Sequence, residues 1–183
     1  MQALDLLLNR RSHPRLKSPA PADEELANIM QAALRAPDHG SLKPWRFIVC
    51  QGLGLKELGD IFERAAIAND LSEKDIARAA ELPLRAPMVI VAICKFLDHP
   101  KIPKAEQVAS ACCAVHAMQM AAVAQGFAGI WRTGHYTEFE DVKQAMQLDE
   151  QDEIVGYLYL GTPMTALPDK PLLDPKQFFE NWD

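Results

Sequence analysis

Residues 104–126, "KAEQVASACCAVHAMQMAAVAQG", constrain this chain more than any other stretch. Read as a helix to residue 125, the segment is about 33 Å long. It is rich in Ala, Ser, Cys and Met, and a helix apolar nearly all round must be buried. Small residues let neighbouring backbones approach closely, and methionine fills irregular gaps. The apolar part, 108–124, is broken by Ser110, His116 and Gln119. It falls short of the ~20 predominantly apolar residues of a membrane span. A core helix is expected, stopped at Gly126.

The rest of the chain must cover that helix. "APMVIVAICKF", 86–96, reads as a strand buried on both faces. "RFIVCQ", "AGIWRTG" (128–134) and "EIVGYLYLG" (153–161) are further strands. Helices are expected over 2–10, 23–35, 54–66, 72–82 and 138–147. Leu4, Leu7 and Leu8 share a face of the first. In the second, Asp23 can cap, and Glu24 and Glu25 suit the positive first turn. Pro14 and Pro37 end helical continuation. One sheet of about four strands with helices on both faces follows. At 183 residues, 1–183 is read as a single domain, able to bury ~70% of its unfolded surface. After Gly161 comes "TPMTALPDKPLLDPKQFFENWD". Its prolines keep 164–183 extended, while Leu172, Leu173, Phe178, Phe179 and Trp182 want burial. An arm lying across a partner subunit would satisfy both demands.

The chain is acidic, with 19 Lys+Arg against 25 Asp+Glu. A nucleic-acid binder would need a basic stripe, so none is expected as partner. The four cysteines, Cys50, Cys94, Cys112 and Cys113, form no CxxC pair and sit in apolar runs, which reads as buried, reduced thiols. "MQALDLLLNRR" places its basic pair after the apolar stretch, the reverse of a secretory signal. These features point to the cytoplasm, with no membrane partner.

Several motifs fall away. "GLGLKE", 52–57, starts like a dinucleotide fingerprint but has Glu57 in place of the third glycine. No Walker loop or GxSxG elbow occurs. Cys112 and His116 share a helix face, yet no second ligand pair accompanies them, and His116 reads as a satisfied core histidine rather than a metal ligand. No metal site is expected.

Three segments carry more polar donors than loops need. "NRRSHPR" sets Arg10, Arg11 and Ser12 where a helix ends; arginine forms bidentate hydrogen bonds to phosphate. Cations at a helix C-terminus also answer the dipole, which would explain Arg10 or Arg11 but not Ser12, Pro14 and Arg15 together. "RAPDHGSLKPWRF", 35–47, loads a turn with Asp38, His39, Ser41 and Lys43 before a strand. "GIWRTG", 129–134, runs Trp131 and Arg132 into Thr133 and Gly134; an exposed arginine on a short strand is the structural alternative.

At these segments the chain resembles the nitroreductase family of flavoproteins, most closely its short bacterial branch named as NAD(P)H nitroreductases. "LLLNRRSHPR", "RAPDHGSLKPWRF", "CAVHAMQMAAVAQGF", "GIWRTG" and "VGYLYLGTP" occur in the family's order and span nearly the whole chain through Pro163. The resemblance implies an α+β fold, with a central, mostly antiparallel sheet of about four to five strands and helices on both faces. It further implies a homodimer holding FMN at the subunit interface. Arg10, Arg11 and Ser12 match the first FMN-binding segment. Arg35 and His39 match positions reaching FMN from the partner subunit. Trp131, Arg132 and Thr133 match the segment beside the flavin. Ser41, Lys43 and Lys170 are secondary candidates.

That resemblance implies an FMN-dependent oxidoreductase passing hydride from NAD(P)H to a small-molecule acceptor, such as a nitroaromatic or quinone. No catalytic side chain is required, because the cofactor carries the redox chemistry. An acidic chain can hold FMN because its arginines act locally, within a Debye length of ~8 Å. A flavin store or redox sensor, an enzyme consuming reduced flavin, and a scaffold without cofactor are the alternatives.

Overall fold

The computed structural model describes residues 2–168 and 170–182; Met1, Asp169 and Asp183, inside the domain and arm bounds read above, lie outside the described residues. The chain order is α1 (Ala3–Asn9), β1 (Leu16–Lys17), α2 (Asp23–Ala33), β2 (Trp45–Gln51), α3 (Leu53–Ala68), α4 (Glu73–Ala79), β3 (Met88–Cys94), α5 (Lys104–Ala124), β4 (Ala128–Arg132), α6 (Glu140–Ala145) and β5 (Glu153–Pro163).

The five strands form one antiparallel sheet, and the architecture is α+β. β3 lies between β2 and β5 and is buried along its whole length, as its unbroken apolar run requires. Its alternate residues divide the core. Val89, Val91 and Ile93 point to a cluster with α3 residues Leu58 and Phe62, Val142 of α6, and Tyr157 and Tyr159. Met88, Ile90, Ala92 and Cys94 point to the opposite cluster, with Ile29 of α2 and Ala111, Val115 and Met118 of α5. The period-two alternation of a strand therefore puts α5 on one face and α3 on the other.

α5 departs from the sequence reading in one respect. Ala105, Ala109, Cys113 and His116 form an exposed stripe along it. His116 is not a core histidine, and the expectation of four buried thiols fails at Cys113, which is exposed, and at Cys112, which is half-buried. Burial pushes the thiols of Cys50 and Cys94 up to about 11, so neither supplies a thiolate. Asp23 does not cap α2: Ala22 occupies the cap position without a side-chain bond. β1 was not anticipated, since two residues carry no periodicity; it pairs with Thr162 and Pro163 of β5. By length and composition α5 could cross a membrane, and half of that window is buried inside the protein, as in a core helix.

An ion cluster around the buried Asp152 ties the sheet ends together. The Asp152 carboxylate accepts from Lys95 Nζ and from the backbone N–H groups of Phe96 (3.0 Å) and Asp149 (2.9 Å). Burial alone would raise its pKa; the bond from Lys95 and the two backbone bonds outweigh burial and hold it below its usual value. A depressed folded-state pKa contributes stability above the unfolded value, near pH 4, and that contribution is lost as pH falls through the folded value. Asp152→Asn is therefore expected to cost about 1–3 kcal/mol at pH 7. It should also flatten the acid limb of a stability profile measured by urea denaturation between pH 7 and pH 3.

Candidate functional site

The exposed edge of β4 gathers most of the polar segments. Arg10 ends α1, its N–H bonded to the Leu6 carbonyl. The chain then runs along β4, where Ser12 forms a parallel bridge with Gly129 and the His13 N–H donates to the Gly129 carbonyl at 3.0 Å. The same carbonyl accepts from the buried Gln119 side chain of α5 at 2.9 Å. Gly129 permits this crowding: a Cβ there would lie 2.8 Å from Leu160 and 2.9 Å from the Tyr159 carbonyl. Three elements thus meet at one residue, and Ser12 and His13 become neighbours of the start of β4.

Each predicted residue can now be placed. Arg10 is half-buried and reaches Ser12 Oγ at 3.4 Å, while Ser12 itself is exposed. Arg11 turns elsewhere: its guanidinium donates to the backbone carbonyls of Leu167 (2.9 Å) and Pro168, pinning the start of the C-terminal arm. Trp131 and Arg132 point to opposite faces of the sheet. The Trp131 indole N–H donates to the Val155 carbonyl at 3.0 Å on the α5 side. The Arg132 guanidinium lies over the Tyr159 ring at 5.7 Å on the α3 side. Arg132 Nε is buried and has no hydrogen-bond partner among the described residues. Thr133 follows β4 and is exposed.

Arg35 and His39 lie apart from this edge. Arg35 is exposed beyond α2 and lines an open groove with Pro37, Cys112, Cys113 and His116. His39 Nδ1 is 2.7 Å from Glu106 Oε2 in the first turn of α5. The loop that carries His39 is closed by Asp38, whose carboxylate accepts from the Leu42 and Lys43 N–H groups. Ser41 and Lys43 are exposed there with left-handed backbones, as is Lys170 in the arm without the strained geometry. The His39 contact at Glu106 and the Gly129 contact at Gln119 are thirteen residues apart along α5, about 20 Å of helix. One chain therefore carries two separate donor sets.

Gln119 and Glu106 escaped the sequence reading. The signal was present in Gln119, a carboxamide in the middle of an Ala- and Met-rich helix, since a buried amide needs partners. Glu106 carried none. No group of three or more His, Cys, Asp or Glu side chains able to hold a metal occurs among the described residues. The edge is donor-rich and offers a phosphate a guanidinium and an exposed hydroxyl side by side, which fits the anionic end of a flavin mononucleotide.

Comparison with known proteins gives one consistent result. The sequence profile of the nitroreductase family matches residues 7–162. The chain is 52% identical over 163 residues to "Putative NAD(P)H nitroreductase YdjA" of Escherichia coli (strain K12), covering 89% of each. The fold matches the crystal structure of a nitroreductase-like family protein from Bacillus cereus with a TM-score of 0.85 at 22% identity, covering 100% of this chain and 96% of that one. It also matches an FMN and NADPH-dependent nitroreductase, NfnB, from Sphigopyxis sp. strain HMH, with a TM-score of 0.72 at 17% identity and 98% of each chain covered.

Proposed function

The chain belongs to the nitroreductase family, and from that premise we propose that it is an FMN-dependent oxidoreductase. It passes hydride from NAD(P)H to a small acceptor, a nitroaromatic or quinone. One observation supports this reading above the others: the parallel Ser12–Gly129 bridge lays the Arg10–Ser12 segment along β4, the strand that leads to Thr133. The relative named as FMN- and NADPH-dependent supports the choice of cofactor.

Bound FMN would supply the ring that accepts and returns hydride. The chain's own residues hold and tune it. Arg10 takes the phosphate through charge-assisted hydrogen bonds, and Ser12 Oγ adds a neutral donor. Thr133, beyond the end of β4, offers donors beside the ring. Positive charge near the ring's carbonyl edge raises its reduction potential. Arg11 acts indirectly, by fixing the arm at Leu167 and Pro168. The Trp131 indole N–H is committed to Val155 and orients β4.

The working unit in this reading is a homodimer in the cytoplasm. Leu4, Leu7 and Leu8 of α1, Met30 and Leu34 at α2, and Leu172, Leu173, Phe178, Phe179 and Trp182 of the arm are all exposed in the single chain. So much exposed apolar surface calls for a partner. A second copy would cover it and would bring its own Arg35 and His39 to the β4 edge. Sedimentation equilibrium tests the dimer: a monomer at micromolar concentration defeats this part of the reading.

The first experiment on activity is the visible spectrum of the purified protein, followed by anaerobic addition of NADPH and NADH. A flavin spectrum that bleaches is the expected outcome. A flavin that persists under both reductants moves the protein to flavin storage or sensing. Absence of flavin, with none taken up from added FMN, overturns the proposal.

A further inference from the structure

A cavity of about 250 Å³ lies at the opposite edge of the sheet from the candidate site. β2 is the end strand there, and β3 and β5 stand between it and β4. None of its lining residues belongs to the donor segments at 10–12, 35–43 and 131–133. Its walls are β2, the first half of α3 and the end of α6. Ile48, Leu58, Ile61, Val91 and Met146 make its middle apolar.

Two opposite charges line this cavity at separate places. Arg46 and Cys50 share a face of β2, four residues and about 13 Å apart, with Ile48 between them. At the Arg46 end, Nη1 donates to the Met146 carbonyl that closes α6, at 2.9 Å. That bond fixes the guanidinium and uses one of its five N–H groups. At the Cys50 end stands Glu57 of α3, whose charge adds to burial in pushing the Cys50 thiol up to about 11. Arg46 and Glu57 do not pair with each other, and neither has an ion-pair partner among the described residues. An unmatched cation and an unmatched carboxylate are thus held apart by an apolar floor.

We propose that this cavity binds a small ω-amino acid, its carboxylate at Arg46, its ammonium at Glu57 and its methylene chain over Ile48, Ile61 and Met146. The arginine fork matches a carboxylate, and Glu57 offers an acceptor to the ammonium. The methylenes gain by leaving water. An α-amino acid carries both charges on one carbon and cannot meet both ends. The volume is below the ~300–1,000 Å³ of drug-sized pockets, which keeps the ligand small. The site does not rest on the flavin reading, because Arg46 and Glu57 are assigned no part in holding the flavin.

Calorimetric titration of 6-aminohexanoate into the purified protein tests it. Saturable binding of one molecule per chain is expected. Glu57→Gln and Arg46→Gln should each weaken it at least about tenfold, while flavin content stays at the wild-type level. Should Arg46→Gln fold poorly for want of its bond to Met146, Glu57→Gln must still weaken binding, since Glu57 holds no other element in place among the described residues. Hexanoate and hexylamine, each lacking one charge, should bind at least about tenfold more weakly than 6-aminohexanoate. No saturable binding to the wild type overturns the proposal, as does unchanged affinity in Glu57→Gln. Hexanoate binding as tightly as 6-aminohexanoate overturns the ligand class. Loss of binding in Arg10→Ala puts the ligand at the β4 edge and overturns the site. A protein that binds 6-aminohexanoate but never FMN keeps this site and loses the proposed function.

Discussion

Replacing Arg10 by alanine is expected to strip the purified protein of most of its flavin. Arg10 sits at the end of α1, half-buried, with only a 3.4 Å contact to Ser12 Oγ, so its donors are available to a phosphate. A charge-assisted hydrogen bond contributes about 1.5–3 kcal/mol, so losing one weakens binding roughly 10- to 150-fold. Fold stability should barely change, because this side chain holds no other element in place among the described residues. The flavin-to-protein absorbance ratio after gel filtration reads the effect, with fluorescence titration of added FMN giving the affinity. Arg15→Ala is the control: Arg15 is exposed, its carbonyl accepts from Met164 N–H, and flavin content should be unchanged. Arg11→Ala should behave differently again, loosening the arm at Leu167 and Pro168. Equal flavin retention by Arg10→Ala and wild type would remove Arg10 from the site.

Gly156→Ala is expected to be the most destabilising single-methyl change in the chain's sheet. Gly156 lies at the irregularity where β5 shifts register against β3 between Ala92 and Ile93, with φ at +145°. That backbone region is open to glycine and strained for any residue with a Cβ. Space is also lacking: a Cβ would stand 2.1 Å from Trp131 Nε1 and 2.8 Å from the Arg132 carbonyl. Either the indole leaves its bond to Val155 or β4 moves away from β5. The combined cost is about 3–5 kcal/mol, which lowers Tm by roughly 10 °C for a chain of this size. Differential scanning calorimetry measures the shift, and tryptophan emission reports the indole. Gly126→Ala isolates the backbone contribution: its φ is +89° but nothing lies within 4 Å of the added Cβ. A Gly156→Ala protein no less stable than Gly126→Ala would mean that β4 is not wedged as described.

Trp131 and Arg132 show how far the sequence could be read. Both were legible as members of one segment, and strand alternation already sends consecutive side chains to opposite faces. What the alternation does not state is which face holds α5. That depends on the connection through α5, and it decides that Trp131 packs toward the helix while Arg132 lies over the Tyr159 ring on the other face. Arg78 illustrates the same limit. Arg78 is exposed at the end of α4, and in the fold it lines one cavity with Arg132, more than fifty positions away.

The sequence by itself determined the longer elements and the chemistry of the segments, though not the two-residue β1. The apolar run of β3, the small-residue composition of α5, the stop at Gly126 and the donor-rich stretches at 10–12, 35–43 and 131–133 are all local signals. Each is set by a residue's immediate neighbours and its φ/ψ preferences. Tertiary structure decided the rest. It joined Ser12 to Gly129, turned Arg11 onto Leu167 and Pro168, and set His39 on Glu106 about 20 Å along α5 from the β4 edge. It also left a stripe of α5 uncovered that composition alone had assigned to the core. The reason is physical: hydrogen bonds and burial between distant residues depend on sheet register and on which surfaces remain to be covered, and no short window of sequence contains either.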